Sequence, residues 1–210
     1  MSTKNNNVST AATALILCLV CSVMVSAVAV GLKPKQQENA RLDLNKNILM
    51  AADMYDPETE SADVIAERFA DFEIRLVNLQ TGQFATEQEI MASGISDVNS
   101  YNVSKAARTP SLSTSLTNDI AKIGGKPNFA KVYLAKDTNG QLEQIVLPIH
   151  GAGLWGPIFG LLTLDKDLNT IKGVNFYQHK ETPGLGSRIE EAQWQATWVD
   201  KELYNDDGSR

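Results

Sequence analysis

An uncharged, apolar segment near the N-terminus is the feature that most constrains how this chain can fold. Residues Ala11–Leu32, AATALILCLVCSVMVSAVAVGL, contain no charged side chain. A helix of about 20 such residues crosses the hydrocarbon core of a bilayer, which is roughly 30 Å thick. The segment is longer than the apolar part of a cleaved secretory signal, typically about 7–15 residues. We therefore predict a retained transmembrane helix over residues 11–32, preceded by an N-terminal tail over residues 1–10.

Features beside this segment leave two questions open. Ala27-Val28-Ala29 satisfies the A-x-A pattern of signal-peptide cleavage, so a secreted protein released at this point stays an alternative. Basic residues lie both before the segment, at Lys4, and after it, at Lys33 and Lys35, so charge alone does not fix the orientation. Pro34 has no backbone N–H to donate, and we predict that the helix does not simply continue past it.

The inventory of reactive side chains limits the chemistry. The net charge of -6 argues against nucleic acid as a partner, because phosphate backbones are bound by clustered Lys and Arg. The histidines are His150 and His179, which we interpret as structural, and the cysteines are Cys18 and Cys21 inside the apolar segment. This inventory predicts no metal site and no Cys/His nucleophile. We expect no catalytic acid or base, and any chemistry would belong to a cofactor.

The remainder of the chain predicts an α+β fold, with one soluble domain of mostly antiparallel sheet and flanking helices. Residues 33–56 are interpreted as a juxtamembrane helix or linker, and residues 57–210 as the domain. Within it we predict an acidic helix through Val64 and Phe69, then a strand through Ile74 and Val77. Residues 93–128 are rich in Ser, Thr, Asn and Gly and are predicted to be mostly loop.

The second half of the chain has the pattern of consecutive hairpins. Apolar and polar residues alternate on both sides of Asn139-Gly140, the strongest short-range hairpin signal. A second strand pair follows with a turn near Asp167–Asn169. Ser187 and Glu190 have the capping-box spacing, which predicts a helix beginning at Ser187. Its predicted apolar face consists of Ile189, Ala192, Ala196, Val199 and Leu203. Trp194 and Trp198 are predicted either to pack within the domain or to form an interface.

Two glycine-rich segments enclose the second hairpin, HGAGLWGPIFG at residues 150–160 and HKETPGLGSR at residues 179–188. Pro183-Gly184 suits the middle of a type II turn, where glycine tolerates a positive φ. Backbone N–H groups at such a turn can bind a phosphate or a carbonyl edge. Trp155 is either core or a surface on which a flat aromatic ligand stacks. Glu181 is either a solvated acid or a hydrogen-bonding partner of that ligand.

The order of apolar span, GLWGP, hairpin and HKETPGLG resembles the membrane-anchored FMN-binding domain family. That family includes the C subunits of sodium-translocating NADH:quinone reductases and the related G subunits of Rnf-type electron-transport complexes. The resemblance implies an FMN-carrying subunit in the bacterial inner membrane, with its domain in the periplasm, that passes single electrons between other subunits toward quinone. The flavin contacts that it implies are Trp155, Gly156, Glu181, Thr182, Gly184, Leu185 and Gly186.

The chain departs from the family at one point. The family attaches the FMN phosphate to a threonine, through a separate flavin transferase, in a Ser/Asp-Gly-Ala-Thr-x-Thr type motif that follows the glycine turn. No such motif occurs here, and SGIS at Ser93–Ser96 lacks the required alanine and threonine. We assign no covalent acceptor in this chain and expect that these residues lack the acceptor segment. A membrane-anchored assembly or docking subunit without redox activity therefore stays an alternative.

Overall fold

The computed structural model describes residues 3–205 and 207–209 of the chain. A long helix leads into a five-stranded antiparallel sheet with short helices around it, which confirms the predicted α+β class. The helices are α1 (Thr3–Ala51), α2 (Val64–Phe69), α3 (Glu87–Ala92), α4 (Val103–Ala107) and α5 (Ala192–Ala196), with a 3₁₀ helix at Gly186–Glu190. The strands are β1 (Phe72–Asn78), β2 (Ser113–Ser115), β3 (Gly125–Pro127), β4 (Phe129–Lys136), β5 (Leu142–Ala152), β6 (Pro157–Asp165) and β7 (Ile171–Gln178).

Helix α1 is continuous through Pro34, so the prediction of a break there is wrong. The missing N–H leaves the carbonyl of Val30 without its usual partner, at a cost of about 3 kcal/mol. This part of the helix is exposed on all sides, and the turns before and after Pro34 keep their own hydrogen bonds. Among the described residues, α1 is the one helix long and apolar enough to cross a membrane, judged by length and composition.

Helix α1 ends in a Schellman motif. Asp53 takes the left-handed conformation, with φ of 56°. The N–H of Met54 donates to the carbonyl of Leu49 at 2.8 Å, and the N–H of Asp53 donates to the carbonyl of Met50 at 3.1 Å. These two bonds satisfy carbonyls that a helix end would otherwise leave unpaired. The helix therefore stops at Ala51, a few residues before the predicted boundary of the linker.

The chain divides into two compact units, one ending at Leu44 and one starting at Asn45. The last two turns of α1 belong to the second unit, where Ile48 and Leu49 are completely buried. The hydroxyl of Thr163 on β6 donates to the carbonyl of Ala51 at 2.8 Å. A side chain at Gly173 on β7 would overlap the same carbonyl. The C-terminal end of α1 thus packs directly on one face of the sheet.

The main sheet has the strand order β1-β4-β5-β6-β7, and every neighbouring pair is antiparallel. The predicted hairpin at Asn139-Gly140 is confirmed, with φ of 78° at Gly140 and the N–H of Asp137 donating to the carbonyl of Gln141. The hairpin predicted near Asp167–Asn169 is confirmed as the β6–β7 connection. Strands β2 and β3 form a separate small sheet within the segment predicted to be mostly loop.

The C-terminal helix is the main error of the sequence interpretation. A 3₁₀ helix takes the place of its first turn, and α5 ends at Ala196. No capping box forms, because the Ser187 hydroxyl accepts a hydrogen bond from the N–H of Gly184 instead. The chain then turns back to the sheet, where the N–H of Ile171 donates to the carbonyl of Lys201 at 2.8 Å. Pairing with the β7 end of the sheet therefore overrides the helical periodicity.

Both faces of the sheet carry packed cores. One cluster consists of Val132, Leu134, Ile145, Leu164 and Ile171, with Trp198 and Leu203 packed against it. The ring centroids of Trp194 and Trp198 are 5.7 Å apart, and Trp194 also contacts Phe176. The packing role predicted for these two tryptophans is thus confirmed. A second cluster joins β1 and β4 to the helical segment through Leu76, Ile95, Tyr101, Ala106 and Phe129.

Candidate functional site

The first glycine-rich segment forms the tip of the β5–β6 hairpin. Its loop is closed by a hydrogen bond of 2.8 Å from the N–H of Gly153 to the carbonyl of Gly156. Strand pairing continues up to Ala152 and Pro157, so the loop is short and held at both ends. Leu154 and Trp155 lie at its tip, where they are 81% and 64% exposed.

The second glycine-rich segment forms a tight turn after β7. The N–H of Leu185 donates to the carbonyl of Thr182 at 3.1 Å, and Gly184 has φ of 74°. A type II turn requires that positive φ at its third position, so the turn predicted at Pro183-Gly184 is present. Thr182 lies exposed on the turn, and Leu185 is 72% exposed.

Glu181 ties the two loops together. Its Oε1 atom accepts a hydrogen bond of 3.2 Å from the backbone N–H of Trp155. A side chain at Gly153 would overlap the Glu181 carboxylate, and one at Gly186 would come within 2.9 Å of it. The carboxylate thus occupies space that glycine leaves open on both loops. It is half-buried, and sequence reasoning, which treated it as a solvated acid or a ligand partner, did not anticipate this role.

The side chain of His179 fixes the backbone at Glu181. Its Nδ1 atom accepts a hydrogen bond of 3.1 Å from the N–H of Glu181. The Nε2 atom lies 2.9 Å from Oε1 of Glu190, and the side chain is only 7% exposed. These contacts agree with the structural role predicted for His179. They fix the backbone from which Glu181 reaches the first loop.

The two loops together present three exposed apolar side chains, Leu154, Trp155 and Leu185, which we call the apolar patch. Exposed apolar surface that is rigidly held beside glycine-rich backbone is typical of a ligand site. Of the residues predicted as cofactor contacts, Trp155, Glu181 and Gly186 come together where the Glu181 side chain joins the two loops, which we call the tie. Gly156 closes the first loop, and Thr182, Gly184 and Leu185 form the exposed turn.

A cavity of about 400 Å³ adjoins the first loop, and we call it the cationic cavity. Gly153, Leu154 and Gly156 form one side of it, and Arg108 and Lys122 bring two positive charges. Ser104, His150 and Phe159 complete most of the lining. His150 stacks on Phe159 with ring centroids 5.9 Å apart, and burial lowers the pKa of His150 below its ordinary value.

Sequence reasoning missed Arg108 and Lys122. Both lie in the segment predicted to be mostly loop, where no periodicity indicates which side chains converge. Their only sequence signal was a positive charge in a chain of net charge -6.

Comparison with known proteins agrees with this geometry. The model of the FMN-binding domain family matches residues 153–208, which contain both glycine-rich loops. The C subunit of the Na(+)-translocating NADH-quinone reductase of Pseudomonas aeruginosa is 39% identical, over 99% of this chain and 77% of that protein. The corresponding protein of Pasteurella multocida is 40% identical, over 92% of this chain and 71% of that protein.

Solved structures give the same result. The crystal structure of Shewanella oneidensis NqrC superposes with a TM-score of 0.69 at 34% identity, covering 80% of this chain and 73% of that one. The C subunit of the Na(+)-translocating NADH-quinone reductase of Parabacteroides distasonis superposes with a TM-score of 0.62 at 26% identity, covering 85% of this chain and 73% of that one. The similarity therefore extends well beyond the two loops.

Proposed function

This chain belongs to the family of the C subunits of Na(+)-translocating NADH-quinone reductases, and from that premise we propose that it is an FMN-carrying electron-transfer subunit of such a complex. FMN supplies one-electron redox chemistry when it is bound. The observation that carries the proposal is the apolar patch of Leu154, Trp155 and Leu185, which lies within the segment matched by the FMN-binding domain. A flat aromatic ring system fits such a patch.

The proposed contacts divide into two groups. Trp155 and Leu185 offer apolar surface to the flavin ring, and Gly156 and Gly184 let the backbone come close to it. Gly186 contributes by leaving room for the carboxylate of Glu181. Glu181 holds both loops in position through the N–H of Trp155. Thr182, exposed at the start of the turn, is the remaining proposed contact.

The residues of this site position the cofactor and set its electrostatic environment. No acid or base needs to act, because electron transfer makes and breaks no bond to a proton at a protein side chain. The carboxylate of Glu181 disfavours the addition of negative charge nearby, and it should therefore lower the reduction potential of the bound flavin. Glu181 thus affects both the position of the two loops and the reduction potential of the flavin.

The partners follow from the proposed role. Electrons would arrive from one subunit of the reductase and leave to another in the direction of quinone, so the domain needs surfaces for both. A flavin transferase would act during maturation if the flavin is attached covalently through its phosphate. The relatives described above are C subunits, which favours this role over that of an Rnf-type G subunit.

We also propose that α1 anchors the chain in the bacterial inner membrane in a single pass, with the sheet unit in the periplasm. The supporting observation is the apolar surface of α1 over Ala11–Leu32, whose side chains are exposed throughout. An anchored protein stays in membranes through an alkaline wash, whereas a protein secreted after Ala29 is washed away. A Ser209→Cys variant lacking Cys18 and Cys21 should react with a membrane-impermeant maleimide in spheroplasts. Labelling only after lysis would contradict the orientation.

The experiment that tests the flavin role is a visible spectrum of the detergent-purified chain, produced together with a flavin transferase. A flavin spectrum that diminishes strongly in Trp155→Ala, with the fold intact by circular dichroism, is the expected result. Denaturation and filtration then separate released flavin from covalently held flavin. A folded but colourless wild-type protein would contradict the proposal and support the assembly role instead.

A further inference from the structure

We propose that His179 is a positioning residue for the flavin: it acts through Glu181, and protonation of its ring loosens the tie between the two loops and weakens flavin binding. This inference rests on the proposed FMN-carrying function and adds a dependence on pH to it. The ring of His179 has one contact at each nitrogen, with the backbone of Glu181 and with the carboxylate of Glu190. The two contacts favour different protonation states of the same ring.

The first contact requires an uncharged ring. Nδ1 of His179 accepts a hydrogen bond of 3.1 Å from the N–H of Glu181, and a ring nitrogen that accepts a hydrogen bond carries no proton. In a charged imidazole both ring nitrogens are donors. Protonation at Nδ1 therefore places two N–H groups against each other, and the hydrogen bond to the backbone of Glu181 is lost.

The second contact favours a charged ring. Oε1 of Glu190 lies 2.9 Å from Nε2 of His179, yet Nε2 is buried and has no hydrogen bond with any residue that the structure describes. The carboxylate is thus close to the ring without the direction that a hydrogen bond needs. A charged ring attracts it more strongly than a neutral ring does. Because the Glu190 side chain is 52% exposed, it has room to realign toward the charged ring.

Other charges near the ring do not take the place of Glu190. The titratable side chains at the end of β7, on the turn and around the 3₁₀ helix are Tyr177, Lys180, Glu181, Arg188, Glu190 and Glu191. Arg188 and Glu191 pair with each other, and burial raises the pKa of Tyr177. Lys180 is exposed, and the carboxylate of the tie is directed to the first loop. Residues 151–160 of the β5–β6 hairpin and helix α5 have no titratable side chain.

The tie transmits the protonation of His179 to the flavin. Once its backbone is released, Glu181 no longer holds its carboxylate against the N–H of Trp155, 3.2 Å away. Gly153 and Gly186 both leave room for that carboxylate, so its displacement alters both loops. The flavin therefore binds best when the ring is neutral. By reciprocity, flavin binding must release a proton wherever His179 is partly protonated.

The experiment measures dissociation constants by flavin fluorescence on the detergent-purified full chain between about pH 5 and pH 8, the range in which histidine changes its charge. Riboflavin is compared with FMN, because it has the same ring and lacks the titrating phosphate. Loss of one neutral hydrogen bond should weaken the binding of both flavins about threefold to tenfold toward low pH. Calorimetry in buffers of different ionisation enthalpy should show the release of up to about one proton per riboflavin bound.

Three variants separate the acceptor from the charge. His179→Asn places an oxygen near the position of Nδ1 and cannot be protonated in this range, so it should keep the wild-type affinity at about pH 8 and lose the pH dependence. His179→Gln carries its amide to the position of Nε2 and should bind about threefold to tenfold more weakly at every pH. Glu190→Gln removes the charge that favours protonation, so the midpoint should move to lower pH. His150→Asn, the control at the other histidine, should keep the pH dependence.

Several results would overturn the inference while leaving the flavin role intact. One is a wild-type affinity for riboflavin and FMN that is the same at both ends of the pH range, with the fold intact by circular dichroism. Another is a pH dependence that persists unchanged in folded His179→Asn. A midpoint that stays in place or rises in Glu190→Gln would also contradict it. A wild-type chain that binds neither flavin at any pH would overturn the inference together with the proposed function.

Discussion

Replacing Glu181 by alanine should weaken flavin binding by loosening the two loops rather than by removing a contact to the ligand. The change deletes the acceptor of the Trp155 N–H, at 3.2 Å, and leaves a gap between Gly153 and Gly186. A hydrogen bond to a charged group contributes about 1.5–3 kcal/mol. Because Glu181 is half-buried, we take the lower end, and about 1.5 kcal/mol corresponds to slightly more than a tenfold loss of affinity.

The assay is a titration of the detergent-purified chain with FMN, followed by the quenching of flavin fluorescence, with urea unfolding measured in parallel. Glu181→Gln keeps an oxygen acceptor at the same place and should lose about threefold or less. Glu143→Ala removes an exposed carboxylate on β5 that is remote from the tie, and it should change nothing. Gly186→Ala should resemble Glu181→Ala, because its new methyl group displaces the carboxylate.

Two patterns among these variants would contradict this role of Glu181. If Glu181→Gln loses as much affinity as Glu181→Ala, the carboxylate charge itself matters to the ligand and the tie between loops is not the cause. If both variants bind FMN like the wild-type chain, the hydrogen bond to Trp155 does not organise the site. In either case, Glu181 would not explain how the two loops are held in position.

Three further predictions concern the sheet unit. Ile48→Ala should lower the free energy of unfolding by about 2–5 kcal/mol in urea, since Ile48 is fully buried, whereas Ile120→Ala at an 85% exposed position should change it little. Burial lowers the pKa of Lys131 from 10.5 to about 8. Below pH 8 the folded protein therefore buries a charged lysine, which destabilises it. The free energy of unfolding should rise toward pH 9.5, by up to about 1.4 kcal/mol per pH unit, and Lys131→Met should abolish the rise. A fragment starting at Asn45 should unfold cooperatively, and one starting at Pro57 should not.

The elements that could be predicted from the sequence are those with local causes. Asn139-Gly140 and Pro183-Gly184 form turns because glycine accepts a positive φ at no cost, and both turns are present. The apolar segment Ala11–Leu32 needs only its composition to indicate a membrane helix. Likewise, alternating strands on both sides of a tight turn pair with each other, so the order β4 to β7 followed from the pattern.

The elements that could not be predicted depend on contacts between distant residues. Glu181 and Trp155 are 26 positions apart, and nothing near either residue indicates their hydrogen bond. Lys122 approaches the end of β5 because the carbonyl of the preceding residue, Ala121, accepts the N–H of Ala152, and Arg108 lines the same cavity from the end of α4. The chain after Ala196 had helical periodicity, yet it returns to the sheet at Lys201 because pairing with β7 stabilises it more.

The packing of the end of α1 against the sheet has a consequence for the order in which the molecule can be assembled during synthesis. The contact from Ala51 to Thr163 spans 112 positions, and the contact from Asn47 to Asn175 spans 128. A ribosome adding about 5–20 residues per second needs roughly 6–22 s to make the first of these spans. Throughout that interval Ile48 and Leu49 have no sheet to cover them. The end of α1 can therefore dock only late in synthesis, after β6 and β7 have been made.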